Sequence, residues 1–245
     1  MRNKRPDLNG ILAVNKPIGW TSNDVCRYVR KITGGAKVGH AGTLDPLASG
    51  VLLICLGNAT KSIESLMDAG KEYEAAIDLA HRSPTDDLEA VPEPVVVTQP
   101  PTLEEVRSAC ARFVGLIDQA PPAHSAVWID GERAYARARR GESATPAPRP
   151  VKIDALEVLE YSWPLLRIRV RCGRGTYIRS LARDIGAALA VGGVLTGLVR
   201  TRVGKLTLAL ARATSELERG LADLTEPPTV HGASPNNSAT AAGPA

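Results

Sequence analysis

Val38-Gly-His-Ala-Gly-Thr-Leu-Asp45-Pro-Leu-Ala-Ser-Gly-Val-Leu-Leu-Ile-Cys-Leu-Gly-Asn-Ala-Thr-Lys61 is the stretch from which the rest of the chain can be read. Its second half contains Val51-Leu-Leu-Ile-Cys-Leu56, an apolar run of strand length set between Gly50 and Gly57. A run without polar alternation predicts a strand buried on both faces. Its first half has glycines at 39 and 42, where the backbone can turn sharply or be approached closely. One carboxylate, Asp45, stands between these halves, followed by Pro46. Two readings are open. The acid sits in a loop on the lip of the buried strand, a rigid platform for chemistry, or Asp45 caps a helix whose first residue is Pro46.

Upstream, Gly10–Val14 reads as a short strand turned by Asn15-Lys-Pro-Ile-Gly19. Thr21-Ser-Asn-Asp24 has capping-box spacing ahead of Val25, Val29 and Ile32 on one helical face. Downstream, a short helix through Leu66 and Met67 precedes Lys71–Leu79, where Tyr73, Ala75, Ile77 and Leu79 alternate with more polar neighbours as in a half-buried strand. An extended connector spans Pro92–Pro101, and Thr102-Leu-Glu-Glu105 caps a helix carrying Val106, Cys110 and Phe113. Asp130-Gly131 predicts a hairpin turn, and the arginine-rich stretch to Arg140 a helix with its basic side outward. Val151–Tyr161 reads as a strand. Next, Leu166, Ile168, Val170 and Cys172 alternate with Arg167, Arg169 and Arg171, giving one apolar and one cationic face. Gly173 leads into a helix burying Ile178, Leu181, Ala182, Ile185 and Leu189, and a strand over Lys205–Leu210 and a helix near Ser215–Leu221 follow.

With 245 residues and 44% hydrophobic content, the chain suffices for one sizeable core. Residues 1–8 read as a loose arm, 9–224 as a single domain, and the Pro-, Ala-, Asn- and Ser-rich 225–245 as a disordered tail. Cys26, Cys55, Cys110 and Cys172 each lie in an apolar pattern without zinc spacing, which predicts buried thiols in a reducing compartment. No apolar run approaches the roughly 18 residues of a membrane span, and the N-terminus lacks a signal-peptide core. A cytoplasmic protein is expected. Net charge is only +4. Arginines nevertheless crowd two segments, 133–140 and 167–183, which suits phosphate contacts or a solvated face.

The segment around Asp45 resembles the signature of the TruB family of tRNA pseudouridine synthases, Gly-His-(Ala/Thr)-Gly-(Thr/Ala)-Leu-Asp-Pro. The resemblance recurs in order from about Gly10 to Leu217: in Lys16-Pro17, in Tyr73, in Gln119-Ala-Pro-Pro-Ala-His-Ser-Ala126, in Gly175-Thr-Tyr-Ile-Arg179 and around Leu198. It implies an α/β (α+β) fold, the pseudouridine synthase fold, with a mixed, mainly antiparallel sheet flanked by helices and an RNA-gripping arm over 119–150. It implies isomerisation of the T-loop uridine of tRNA (U55) to pseudouridine after base flipping. Asp45 would be the catalytic carboxylate, acting as nucleophile or base on C6 of the base or C1′ of the sugar. Arg179 would aim it with a two-point hold and keep it charged, and Tyr73 would stack on the base. His40, Gly42, Thr43, Leu44, Tyr177 and Leu198 would contact the substrate, with His40 on the loop beside the acid. Arg137, Arg140, Arg169 and Arg171 would grip the RNA. The expected partner is the T-arm of tRNA, and the protein would be a monomer with no cofactor and no PUA domain. The chain departs from the family pattern at Ala80, Ala90, His124, Trp128 and Val199.

Two other classes compete. A non-catalytic RNA-binding or tRNA-folding protein would need the same surfaces without the acid. A metal-dependent hydrolase would gather His40, Asp45 and Asp184. Structurally bland readings also exist: Tyr73 as a core aromatic, and Tyr177 and Arg179 as residues at the start of a helix.

Overall fold

The computed structural model describes residues 8–219 apart from 126, 130, 135, 136, 138, 139 and 143–145. The expected N-terminal arm (except residue 8), the C-terminal tail and the last residues of the 9–224 unit lie outside the described residues. Strands are β1 (Gly10–Lys16), β2 (Val38–Ala41), β3 (Ala48–Leu56), β4 (Lys71–Asp78), β5 (His81–Arg82), β6 (Glu93–Pro94), β7 (Gly115–Gln119), β8 (Trp128–Ile129), β9 (Glu132–Arg133), β10 (Arg149–Ser162), β11 (Leu165–Cys172), β12 (Val194–Val203), β13 (Leu206–Thr207) and β14 (Arg212–Ala213). Helices are α1 (Ser22–Ile32), α2 (Ile63–Met67), α3 (Leu103–Ala111), α4 (Ile178–Ala188) and α5 (Thr214–Arg219).

Ten of these strands form one sheet in the order β14-β1-β3-β12-β4-β11-β10-β7, with β2 added on β3 and β13 on β12. The β1–β14 and β3–β12 pairs are parallel and the other pairs antiparallel, so the sheet is mixed and mainly antiparallel.

β3 is apolar from Val51 to Leu56 because each of its faces meets a core. Leu52, Ile54 and Leu56 join the main core beneath α1 and α4, while Val51 and Leu53 join a second cluster with Ala41 and Val203, covered by Ile63, Leu66 and Met67. Gly50 at its start has φ +103°, and a Cβ there would overlap the backbone of Arg200, its register partner on β12. Only glycine lets β3 and β12 close at this point.

Both predicted capping boxes form. Thr21 with Asp24 opens α1, and Thr102 with Glu105 opens α3. β4 alternates buried and half-buried residues along its full length. The Trp128–Arg133 and Ile129–Glu132 pairs form the expected hairpin, although residue 130 of its turn lies outside the described residues.

Asp45-Pro46 starts no helix. The Ala48 N–H donates to the Asp45 carbonyl at 3.0 Å in a turn, and the chain enters β3 at once. The helix reading fails because the residues after Pro46 are claimed by the sheet. The strand expected over Lys205–Leu210 also shortens. Gly204, at φ +56°, makes a tight reversal that pairs only Leu206 and Thr207 with β12 before a 3₁₀ turn. β10 carries two register shifts against β11, which interrupt the alternation read over Val151–Tyr161. Among the described residues, no helix is long and apolar enough to cross a membrane.

Candidate active site

The loop from Gly42 to Pro46 is fixed through its carbonyls. Arg200 is buried in the sheet at 1% exposure, and its guanidinium faces the loop. Its Nη2 donates to the Gly42 carbonyl at 3.0 Å, Nη1 to Thr43 at 3.4 Å and Nε to Val51 at 2.7 Å. The Ser22 hydroxyl, at the first turn of α1, donates to the Leu44 carbonyl and accepts from the Leu44 N–H. The Asp45 carbonyl takes the Ala48 N–H, and the Pro46 carbonyl takes the Gly19 N–H at 2.8 Å and the Lys16 ammonium at 3.5 Å. Five successive carbonyls are therefore occupied, so the main chain carrying Asp45 has little freedom.

Lys16 is fully buried, and its ammonium also donates to the Pro17 and Trp20 carbonyls. Burial pulls its pKa down to about 8, with the Asp45 charge opposing the shift. The Lys-Pro element thus ties the turn at Asn15–Gly19 to the loop carrying the acid.

Arg179 reaches Asp45 from α4. The helix begins after Tyr177, whose N–H donates to Gln119 Oε1 at 2.8 Å. Arg179 Nη1 donates to the Thr85 carbonyl at 3.2 Å and Nη2 to the His124 carbonyl at 3.1 Å. Nε faces two carboxylates, Asp45 at 3.0 Å and Asp87 at 3.7 Å. Its N–H is aligned for hydrogen bonding with neither, so the attraction is coulombic. The two acids differ in access. Asp87 is 5% exposed and Asp45 40%, so the chemistry open to a ligand belongs to Asp45. The expected two-point hold on Asp45 is replaced by a single-nitrogen contact, because two carbonyls already occupy the guanidinium fork.

Asp45, Gly42, Thr43, Leu44, Tyr73, Tyr177, Arg179 and Leu198 all line one cleft, together with Lys71, Arg149, Arg174 and Arg200. Tyr73 is 8% exposed, and burial raises its phenol pKa, opposed by the charge of Arg200. Leu198 lies between Ala48 of β3 and Ala75 of β4 and supplies apolar wall.

The other predicted contacts do not line the cleft. His40 is in strand β2 opposite Ile54, not in the loop; burial and the Arg200 charge depress its pKa, and its Nδ1 is buried without a partner. Arg169 and Arg171 pair in register with Glu74 and Glu72, so they stand on the sheet face opposite Tyr73. Arg169 is bound by Glu74 and Glu157. Arg140 is held by Glu132 and Glu142, and Arg137 by Glu142. The bare cationic surface expected from the arginine runs is therefore largely charge-balanced. Tyr135 and Arg139 lie outside the described residues. Asp184 is bound to Arg183, and among the described residues no three His, Cys, Asp or Glu side chains gather to share a metal ion.

Sequence reasoning passed over Asp87, Arg200 and Lys16 as parts of the site. Asp86 and Asp87 sit in the loop whose shape the departures at Ala80 and Ala90 obscured. Asp86 adopts φ +61°, its carbonyl accepts the Leu195 N–H, and its carboxylate meets Arg183 at 3.0 Å.

Comparison with known proteins agrees with this arrangement. A family model described as TruB family pseudouridylate synthase (N terminal domain) matches residues 30–178. Over 218 residues the chain is 46% identical to tRNA pseudouridine synthase B of Parabacteroides distasonis, covering 85% of this chain and 91% of that protein. The chain belongs to the TruB family. The enzyme of the same name from Bacteroides fragilis is 49% identical over 208 residues, covering 81% of this chain and 88% of that one. Against the Ralstonia pickettii relative, 46% identical over 211 residues, this family member spans 83% of its own length and 65% of the relative's. Among solved structures, a chain of a Cbf5-Nop10-Gar1 complex superposes with TM-score 0.68 at 32% identity, covering 86% of this chain and 54% of that one. The TruB-family fold thus extends over most of this chain and about half of that larger protein.

Proposed function

We propose that this protein isomerises uridine to pseudouridine in tRNA, at position 55 of the T-loop, with residues 9–224 as the catalytic unit. The observation that carries this reading is the half-exposed Asp45 on an immobilised loop, facing a cleft and accompanied by Arg179 at 3.0 Å. Isomerisation breaks the N1–C1′ glycosidic bond, turns the base and joins C1′ to C5, while C5 gives up its proton and N1 gains one. The reaction is redox-neutral and takes no group donor, so the reading requires no cofactor.

In this reading Asp45 attacks the nucleotide, Tyr73 stacks on the base, and Leu198 keeps the reacting centre dry. The fixed carbonyls of residues 42–46 mean that little reorganisation is needed when the acid acts. Flipping the uridine out of the T-loop costs a few kcal/mol, which contacts along the cleft must offset. The protein would work as a monomer in the cytoplasm, with the T-arm as its minimal partner. A non-catalytic role would leave an accessible, positioned carboxylate without purpose.

The test is to incubate unmodified tRNA transcripts with the protein and map pseudouridine. Modification confined to the T-loop uridine is expected; transcripts left unmodified under conditions where they bind would contradict the reading.

A further inference from the structure

The cleft is lined by five cations, Lys71, Arg149, Arg174, Arg179 and Arg200. Three already have their donors engaged. Arg174 is held by Glu64 and Asp68, Arg179 stands at Asp45 and Asp87 with its fork on two carbonyls, and Arg200 holds the loop. Lys71 is buried and donates to the Met67 carbonyl. Arg149 differs from the other arginines of the cleft. It is half-buried at the start of β10 and, like Lys71 and Arg200, has no carboxylate within ion-pair distance among the described residues, but its guanidinium makes only one hydrogen bond there, through Nη2.

Arg149 is also held in place. Its Nη2 donates to the Gly175 carbonyl at 3.1 Å, and its guanidinium carbon lies 5.3 Å from the centroid of the Tyr177 ring. Gly175 has φ +85°, and a Cβ there would touch Arg149 Nη2 at 3.6 Å. A guanidinium set over an aromatic ring, with one nitrogen tied down, has its remaining donors set in one plane. That is the geometry that grips two oxygens of a phosphate.

We infer that the stacked Arg149–Tyr177 pair is a phosphate-binding site for the RNA backbone, at the rim of the cleft that holds Asp45. This assignment rests on the proposal that RNA enters the cleft. It moves the electrostatic grip from the arginine runs, where glutamates neutralise most of the charge, to a single preorganised and unneutralised arginine. Arg171, which also has no carboxylate partner among the described residues, is its natural comparison, since it carries the same charge on the opposite face of the sheet.

The experiment measures binding of a labelled T-arm stem-loop RNA across a salt series from about 50 to 200 mM. Asp45→Asn protein serves as the parent so that the RNA is not turned over. Adding Arg149→Gln is expected to weaken binding roughly ten-fold at the low-salt end. The log–log salt slope should become shallower by about 0.7, the loss of one phosphate contact on a single-stranded segment. Arg149→Lys should keep the slope, since the charge remains, and Arg171→Gln should leave both slope and affinity alone. With Asp45 restored, the Arg149→Gln loss should appear in KM more than in kcat.

An unchanged slope for Arg149→Gln would overturn the assignment, and weaker binding with an unchanged slope would mean that Arg149 stacks on a base instead. An equal slope change for Arg171→Gln would also overturn it, by making the effect one of net charge. Binding slopes are independent of turnover, so a protein that grips the RNA in this way but forms no pseudouridine would refute the functional reading alone.

Discussion

Arg179 and Asp45 meet through a single nitrogen, Nε at 3.0 Å from Oδ2, while both terminal nitrogens of the same guanidinium are spent on the carbonyls of Thr85 and His124. The arginine therefore joins three separate segments at the cleft: the loop of the acid, the 85–87 loop and the 124 segment. Its charge is shared with Asp87, which is buried behind it.

Arg179→Lys should accordingly fail for a reason other than charge. An ammonium at the end of a flexible stem cannot serve two carbonyls and two carboxylates from fixed directions. We expect kcat to fall on the order of 10²-fold, the size of a misplaced catalytic group, with tRNA affinity much less affected. Steady-state kinetics with a T-arm substrate checks this, and near-normal kcat would show that the carbonyl contacts do not matter.

Arg200→Lys should damage the same step from the other side of the loop. The Gly42, Thr43 and Val51 carbonyls are served by three different guanidinium nitrogens, so one ammonium on a shorter stem cannot replace them all, and each carbonyl left without its donor costs about 1–3 kcal/mol. The expected signature is a lower urea midpoint together with a kcat reduced about ten-fold or more, given how steeply rate depends on the placement of the acid. A variant as stable and active as the parent would mean that the loop holds itself.

Asp86 gives a pH signature. Burial raises its pKa to about 6, from 3.8, against the opposing charges of Arg183 and Arg179. The folded state then holds the proton more tightly than the unfolded chain, so this contribution to stability is complete below about pH 4 and is lost as pH rises through 6. Asp86→Asn removes the titration, and asparagine tolerates the φ of +61° at this position. The stability of the parent relative to the variant should fall by on the order of 2 kcal/mol between pH 4 and 7. Denaturant melts at several pH values would show it. A difference that stays constant with pH, or grows as pH rises, would contradict a raised Asp86 pKa.

What the sequence made legible was whatever depends on local period and capping. β3 showed as an unbroken apolar run, β4 and β11 as alternations, and α1 and α3 through the Thr21–Asp24 and Thr102–Glu105 boxes. What it obscured depends on contacts between distant segments. Asp45-Pro46 has the local chemistry of a helix start, and only the pairing of Ala48 with β12 overrides it. The arginines of β11 read as a bare cationic face because their glutamates lie on other strands, Glu74 on β4 and Glu157 on β10. Arg200 looked like an ordinary cation and Lys16 like part of a structural Lys-Pro element, since nothing near them in the sequence announces burial beneath the loop of the acid. The resemblance around Asp45, Tyr73, Tyr177, Arg179 and Leu198 brought out the residues that line the cleft. It pointed away from Asp87, which sits where the chain departs from the family pattern.

The central claim is that Asp45 performs the chemistry. Asp45→Asn is close to isosteric and leaves every backbone contact of residues 42–46 in place. The decisive measurement quantifies pseudouridine at the T-loop position after incubating tRNA with each protein, with tRNA binding and thermal unfolding measured on the same preparations. We predict that the asparagine variant folds and binds tRNA like the parent but forms no detectable pseudouridine. Pseudouridine formed at a rate comparable to the parent's would contradict the account.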